Sequence, residues 1–296
     1  MQPLLENILV FGANGQLGTS ICQVLANVYN IIPVTRDKLN IAVKEEIHLL
    51  LTNLLRQYNL KAIINCIAFT NVNANESNIS QAFQVNTLFV AELANFCKCH
   101  DIILVHFSSD YVFDGKLLNY QYKETDFANP LNIYGLSKYS ADAIIIQQLK
   151  KYFIFRVSSV FGSSKNNNSN NFITTILKLA ATKDKISVIA DQISCPTHSD
   201  DIATAVKQML TFYSDHFGLY NCVSSSSCSW FEFAQLILKQ KGYDQNKIEP
   251  ISYSDYKFIA NRPQYSVLNI NKLSQFFLMP TYQDAFLNYW GKNSII

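Results

Sequence analysis

Charge is what this sequence has least of. Only 16% of its 296 residues are Asp, Glu, Lys or Arg, and 24 basic against 22 acidic side chains leave a formal net charge of +2. So neutral a chain has no broad positive field for holding a polyanion, which excludes nucleic acid as its main ligand but not a single anionic cofactor. Long apolar runs are missing as well. No uninterrupted stretch reaches the ~18–20 residues a membrane helix needs, and MQPLLEN passes straight into a strand-like segment with no basic region followed by an apolar one. A soluble cytoplasmic protein with no membrane partner is the expectation. Cysteine is present without forming a disulfide framework: seven is an odd number, the spacings are scattered, and Cys97 and Cys99 lie two apart. That usage fits a reducing compartment, with most thiols serving as small buried apolar side chains. Two catalytic signatures are also absent, the GxSxG elbow of serine hydrolases and the HExxH of zinc peptidases. The histidines at 48, 100, 106, 198 and 216 form no recognisable ligand set, so no metal is expected and ordinary structural or surface roles are assigned to them.

What the sequence does have is apolar content, 49% of residues, enough for a sizeable core. In the first half it comes as short β-rich runs alternating with helical spacing. ILVFGANG (8–15) leads into LGTSICQVLAN, IIPVT (31–35) precedes a helix over 44–58, and AIINCIA (62–68) precedes one over about 80–100. IILVHFSS (102–109), a helix over about 137–150 and the strand-like FIFRVSSVFG (153–162) continue the alternation. This pattern predicts an α/β fold, a doubly wound parallel sheet of Rossmann type with ligands above the C-terminal ends of its strands. After Gly162 the pattern changes. A polar loop (163–171), a helix (172–182) and a short strand (186–189) come before GLYNCVS (218–224), which reads as a late strand returning to the sheet. SSSSCS then precedes WFEFAQLILKQ, with serine a natural helix cap. The expected division is a dinucleotide-binding domain over 1–161 and a smaller α/β substrate lobe over 162–296, with about 198–224 rejoining the sheet.

GANGQLG places Gly12, Gly15 and Gly18 in GxxGxxG spacing at the first strand-to-helix junction. The first glycine permits a tight turn, the second lets backbone approach a pyrophosphate, and the third lets the helix pack closely. The helix N-terminus then favours negative charge. At the end of the second strand, where this fold commonly has an acidic residue for the adenosine ribose, stands Thr35, followed by Arg36 and Asp37. An arginine there can pair with a 2′-phosphate, which favours NADPH over NADH. Asp37 on the ribose, or a merely surface Arg36, is the alternative.

Further along, FSSDYVFDG (107–115) puts Phe107, Ser108, Ser109 and Asp110 at the end of the fourth strand, and YGLSK holds Tyr134 and Lys138 four residues apart on one helix face. A free phenol titrates near ~10, and a neighbouring ammonium would lower that value, so the spacing predicts that Lys138 tunes Tyr134 as an acid–base group. Ser109 can donate a hydrogen bond to a substrate carbonyl.

With these residues goes an ordered set of segments: INCIAFTNVNANES with Val85 and Asn86, SSDYVFDG, YKETDFANPLNIYGLSK, FRVSSVFG, VIADQISCPT and NRPQYSVL around Arg262. Together they resemble the dTDP-4-dehydrorhamnose reductase family, within the extended short-chain dehydrogenases/reductases. The resemblance implies that Gly15, Gln16 and Leu17 border the cofactor pyrophosphate, that Asn40 and Ile41 lie near the adenine, and that Ala68, Phe69, Thr70 and Phe107 lie along the cofactor. It implies catalytic roles for Tyr134 as general acid, for Lys138 on the nicotinamide ribose, and for Ser109 in place of the family's threonine. Ser109, Asp110, Ser159 and Arg262 are expected to meet a nucleotide-sugar substrate. One departure stands out: where the family reads RTSWVYG this chain reads RVSSVFG, so a substrate-holding tryptophan is Ser159, and Phe161 and Trp230 are the aromatic candidates to replace it. The reaction implied is NAD(P)H-dependent reduction of the C4 ketone of dTDP-4-dehydro-L-rhamnose, with a homodimer left open. Two alternatives remain. One is a related 4-keto reductase for another deoxy-sugar nucleotide. The other is a non-catalytic NADP-binding regulatory subunit resembling the beta subunit of methionine adenosyltransferase.

Overall fold

In the computed structural model, which describes residues 5–35, 40–165 and 171–293, strand β1 (Asn7–Phe11) turns through the glycines into helix α1 (Gln16–Leu25), and β2 (Asn30–Val34) follows. Helix α2 (Lys44–Gln57) leads to β3 (Leu60–Asn65). Two short helices, α3 (Val72–Ser77) and α4 (Ile79–Phe83), run into a π-helical turn at Gln84–Leu88 and on into α5 (Phe89–His100). Strand β4 (Ile103–Ser109), helix α6 (Ile133–Gln148) and strand β5 (Tyr152–Val157) complete this half.

The second half contains β6 (Val160–Phe161), α7 (Phe172–Thr182), β7 (Ile186–Ile189), β8 (Ile193–Ser194), β9 (Thr197–His198) and α8 (Ser199–Phe212). It continues with β10 (Gly218–Asn221), β11 (Cys228–Ser229), α9 (Trp230–Lys241), β12 (Ile248–Ile251) and α10 (Tyr282–Asn293). Ser229 caps α9 in a reciprocal box with Glu232, which gives the serine-rich segment its expected role.

The main sheet has the order β10-β5-β4-β3-β1-β2, and every neighbouring pair is parallel. Its strands are apolar along their length because helices cover both faces. One face packs Val10, Ile64, Val105, Phe107 and Phe155 against α1 and α8. The other packs Leu9, Ile63, Leu104 and Ile154 against α2, α5 and α6. A separate core forms between α7, α9 and α10 around Phe233 and Phe286. Strand β1 has β2 on one side and β3 on the other, so the chain departs in opposite directions from it. Such a switch point opens a crevice above the strand ends.

Three details depart from the sequence reading. The helix expected over about 80–100 is interrupted by the π turn, whose Asn86 side chain is fully buried. Helix α6 begins at Ile133 rather than near 137, because Asn132 caps it by accepting from the Gly135 N–H at 2.8 Å. The strand expected over 153–162 is two strands, broken at Ser159, whose φ of +46° lies in the left-handed region. The centre of the polar loop, 166–170, lies outside the described residues. None of the described helices is long and apolar enough to cross a membrane.

Candidate active site

The glycine turn forms the floor of the crevice. Gly12 has φ +75°, and a Cβ there would meet the Cys66 carbonyl carbon at 3.0 Å. Its N–H donates to the Val34 carbonyl at 2.9 Å, tying the turn to the end of β2. Gly15 is exposed, donates to the Gly12 carbonyl at 3.0 Å, and begins α1 with no side-chain cap and no acidic residue in the first turn. A Cβ on Gly18 would lie 2.1 Å from the Gly12 oxygen, so the helix packs on the turn's own backbone rather than on the strand. Uncapped first-turn amides, the positive end of a helix and a bare backbone approach fit a dinucleotide pyrophosphate. Gln16 and Leu17 flank it, half-buried, with the Gln16 Oε1 accepting from Asn171 at 3.4 Å.

Around the crevice, Thr35 directly follows β2. Arg36, with Asp37, lies outside the described residues, so the 2′-phosphate reading has no geometry behind it. Asn40 folds back on itself, its Oδ1 accepting from the Ala42 N–H at 3.1 Å. The Ile41 carbonyl accepts from Gln84 at 3.2 Å. Ala68, Phe69 and Thr70 form the loop after β3, and Asn86 in the π turn pins it by accepting from the Phe69 N–H at 2.8 Å. The same Asn86 amide donates to the Ser137 hydroxyl at 2.9 Å, tying that loop to α6. The Phe107 ring is buried in the core against Phe155, centroids 6.1 Å apart, so from Phe107 only backbone is left to border a cofactor.

Above β4, Tyr134 and Lys138 sit one turn apart at the start of α6. The Tyr134 ring meets Tyr111 edge-on at 5.9 Å. Burial pushes the Tyr134 phenol up to about 12; a hydrogen bond with the Ser109 hydroxyl pulls it down and the Asp110 carboxylate pushes it up. The lysine is not what sets this value, contrary to the sequence expectation. Lys138 is 2% exposed, its Nζ lies 3.2 Å from His106 Nε2, and burial brings it down to about 8 against a smaller upward pull from Asp142. His106 is itself fully buried and held well below the usual imidazole range by burial and by Lys138. Asp142 accepts from Ser108 at 2.8 Å and faces the buried Arg156 Nε at 3.5 Å.

Asp110 is not open to a substrate. Its carboxylate, 2% exposed, accepts from Ser109 at 3.0 Å, Ser158 at 2.8 Å and Ser266 at 2.6 Å. Burial raises its pKa, and the three hydroxyls oppose that rise. It therefore orients Ser109, which also accepts from the Tyr111 N–H at 3.1 Å. Ser159 donates to or accepts from Ser194 at 2.9 Å. Arg262 reaches Asn73 at 3.3 Å and stacks over Phe258 at 5.2 Å, leaving its buried Nε without a partner. Neither candidate replacement for the tryptophan sits at this site: Phe161 is buried against His198 and Phe233, and Trp230 packs on Phe172.

With this geometry in place, comparison with known proteins is decisive. Residues 6–290 match the family described as RmlD substrate binding domain. The chain belongs to the RmlD family. A relative named dTDP-4-dehydrorhamnose reductase, from Aggregatibacter actinomycetemcomitans, is 33% identical across 92% of this chain and 94% of its own. The spore coat polysaccharide biosynthesis protein SpsK of Bacillus subtilis is 32% identical, covering 98% of this chain and 99% of its own. Among solved structures, the Bacillus anthracis dTDP-4-dehydrorhamnose reductase in complex with NADP superposes with a TM-score of 0.89 at 30% identity, over 98% of this chain and 100% of that one.

Several residues of this RmlD-family site had no assigned role in the sequence reading, namely Asn65, Asn86, Ser108, Asp142, Ser158 and Ser266, and His106 was read only as an ordinary structural or surface histidine. The signal for His106 and Ser108 was available, since both interrupt an otherwise apolar buried strand, where a polar side chain needs a partner. Asp142 carried another, being one helical turn beyond Lys138.

Proposed function

We propose that this chain reduces the C4 ketone of dTDP-4-dehydro-L-rhamnose to the alcohol of dTDP-L-rhamnose, with NADPH as reductant. The arrangement that carries the reading is Tyr134 and Lys138 one turn apart at the start of α6, with the Ser109 hydroxyl beside the phenol, above a turn shaped for a pyrophosphate. A reduction needs a loaded acid at the ketone oxygen, and a phenol held protonated is that acid. The family relatives named dTDP-4-dehydrorhamnose reductase supply the substrate class.

NADPH, when bound, supplies the hydride. The chain's own residues do the rest. The Gly12–Gly18 turn and the start of α1 hold the pyrophosphate, and Ala68, Phe69 and Thr70 border the cofactor beyond it. Ser109, whose single hydroxyl hydrogen Asp110 accepts in this structure, turns it to the ketone oxygen when substrate binds, and Tyr134 gives its proton to that oxygen as negative charge develops there. Lys138 holds the nicotinamide ribose. Arg262, with its partnerless buried Nε, faces the negative charge of the substrate diphosphate.

A second reading keeps the chemistry and changes the sugar. Ser159, small and left-handed where the family pattern has tryptophan, favours a different or bulkier deoxy-sugar on the dTDP carrier. The test is NADPH consumption with enzymatically generated dTDP-4-dehydro-L-rhamnose, beside a panel of other dTDP-, UDP- and GDP-linked keto-sugars. Turnover confined to the first substrate is expected. A preference for another sugar selects the second reading. NADPH binding with no turnover on any keto-sugar overturns both and points to a binding protein.

A further inference from the structure

Around the Asp110 carboxylate, serine hydroxyls gather in two layers. The carboxylate takes the hydrogens of Ser109 at the end of β4, Ser158 just past β5 and Ser266 near the C-terminus, at 3.0, 2.8 and 2.6 Å. The backbone next to two of these brings in a second pair. Ser159 follows Ser158, and its carbonyl accepts from the Thr197 N–H at 3.4 Å. Ser194 ends β8, whose Ile193 carbonyl accepts from the Ser266 N–H at 3.0 Å. Held in this way, the Ser159 and Ser194 hydroxyls meet at 2.9 Å. Ser159 sits there with a φ of +46°, a conformation that residues with a side chain rarely adopt and that recurs at functional sites.

Counting hydrogens shows what this second pair has to spare. Each hydroxyl carries one hydrogen and two lone pairs. Those of Ser109, Ser158 and Ser266 give their hydrogens to Asp110. Ser159 and Ser194 have two between them, and their mutual bond uses one. Among the described residues the one further acceptor near the pair is the Ser158 oxygen, 3.5 Å from Ser159, well beyond the ~2.7–2.8 Å of an ordinary hydroxyl bond. A hydrogen and several lone pairs are therefore left over, and polar groups this deep in a protein ordinarily have partners. Ser194 is 5% exposed and Ser159 half-buried, so the pair opens on the Ser159 side. An incoming group that both accepts and donates completes it, as a hydroxyl does. A phosphate or carboxylate only accepts, and would stand one residue away from the serine that binds the buried Asp110 charge.

We propose that Ser159 and Ser194 form a subsite that reads one hydroxyl of the keto-sugar, and so determine which sugar the site accepts. This rests on the reading of the crevice as a nucleotide-sugar reductase site. Ser109 lies opposite Val157 across β4 and β5, and Ser159 follows two residues later, at most ~7 Å further along the chain. A hexose whose ketone oxygen meets Ser109 and Tyr134 brings hydroxyls carried near C4, at C3 or at C6, into that range. A site built to hydrogen-bond a substrate hydroxyl rejects the analogue lacking it, because the analogue leaves the site's own polar groups unpaired.

Two matched pairs of dTDP-linked 4-keto-hexoses, one differing only in the C3 hydroxyl and the other only in the C6 hydroxyl, test this with the full-length chain and NADPH. The wild type should prefer the hydroxylated member of one pair by about tenfold in kcat/KM, the worth of one hydrogen bond, and that pair names the carbon that is read. The decisive variant is Ser159→Gly, which deletes the hydroxyl and suits a φ of +46°. Its preference should collapse toward unity. Should that variant not fold, Ser194→Ala carries the same test with the same expected collapse. A wild type indifferent to both hydroxyls overturns the proposal. So does a variant that slows on both members of the pair equally and keeps the preference, since its serine is then structural. If no keto-sugar is reduced, the proposed function fails, and calorimetric titration of the NADPH-loaded chain with the corresponding 4-hydroxy dTDP-sugars reads the same preference as an affinity ratio. Loss of that ratio in Ser159→Gly upholds the subsite without turnover, and equal affinities in the wild type overturn it. Binding of none of these sugars overturns both readings.

Discussion

Alanine at each of the three turn glycines should separate what the fold requires from what the cofactor requires. At Gly18 the added Cβ would stand 2.1 Å from the Gly12 oxygen and 2.8 Å from its carbonyl carbon. An ordinary carbon–oxygen contact is ~3.3 Å or more, so backbone must yield by about 1 Å and α1 must lift off the turn. Overpacking of that kind costs ~1–3 kcal/mol. At Gly12 the contact is milder, 3.0 Å, but φ is +75°, and a side chain in that region adds ~1–2 kcal/mol. Gly15 differs from both. Its φ is −73°, and the nearest atom to a new Cβ is 3.4 Å away, so alanine there should leave stability unchanged or raise it by ~0.4–1 kcal/mol. Its methyl would instead project into the space left for the pyrophosphate. Urea unfolding and NADPH fluorescence titration, run on all three variants, give the readout. Gly12→Ala and Gly18→Ala should lose both stability and affinity, and Gly15→Ala affinity alone, by tenfold or more, ~1.4 kcal/mol. Wild-type stability and affinity in Gly18→Ala would refute the packing argument. Wild-type affinity in Gly15→Ala would show that the cofactor phosphates bind elsewhere.

Three further outcomes follow from the site and its surroundings. Tyr134→Phe should bind NADPH normally and lose turnover by ~10²–10⁴-fold; unchanged turnover in a steady-state assay would remove Tyr134 as the acid. Asp110→Asn places an amide donor among serine hydroxyls that now donate to a carboxylate, and should cost ~1–3 kcal/mol in urea unfolding, with kcat falling as Ser109 loses its orientation; an unshifted midpoint would show that these bonds contribute nothing net. His198, stacked on Phe161, is held down to about 4 from an ordinary 6.5, mainly by burial. The unfolded chain therefore takes up a proton that the folded chain refuses, and stability is lost as pH falls through 6.5 toward 4. Against His198→Phe, the wild type should lose ~3 kcal/mol across that window, and parallel stability profiles of the two proteins would contradict the assignment.

The parts of this protein legible in its sequence were those set by short-range pattern. The Gly12–Gly18 turn, the Phe172–Thr182 helix and the return of Gly218–Asn221 to the sheet all follow from periodicity and turn chemistry, which act within a few residues. What escaped depends on contacts across the fold. Asp110 reads as a polar residue at a strand end, and only the arrival of Ser158 and Ser266 from distant segments turns it into a buried anchor. Likewise, YxxxK spacing places Tyr134 and Lys138 on one face, yet the lysine's nitrogen is taken by His106 from the strand beneath. Helix periodicity could not foresee the π turn, because Asn86 gains from it only by bonding Phe69 and Ser137 in other elements.

The late strand β10 also bears on how this molecule is made. It lies parallel along β5, pairing Gly218 with Phe153 and Asn221 with Arg156, while α8, just before it, covers the face of α1. During synthesis, a nascent chain that has not yet released residue 221 holds β5 as an unpaired edge and the α1 side of the sheet uncovered. Open strand edges and bare apolar faces are where chains associate wrongly. The glycine turn is synthesised first, but the sheet that supports it is closed by one of the later segments to emerge, across a long sequence separation that slows folding. The vulnerable interval in this protein's life is thus the time the ribosome takes to travel from β5 to β10.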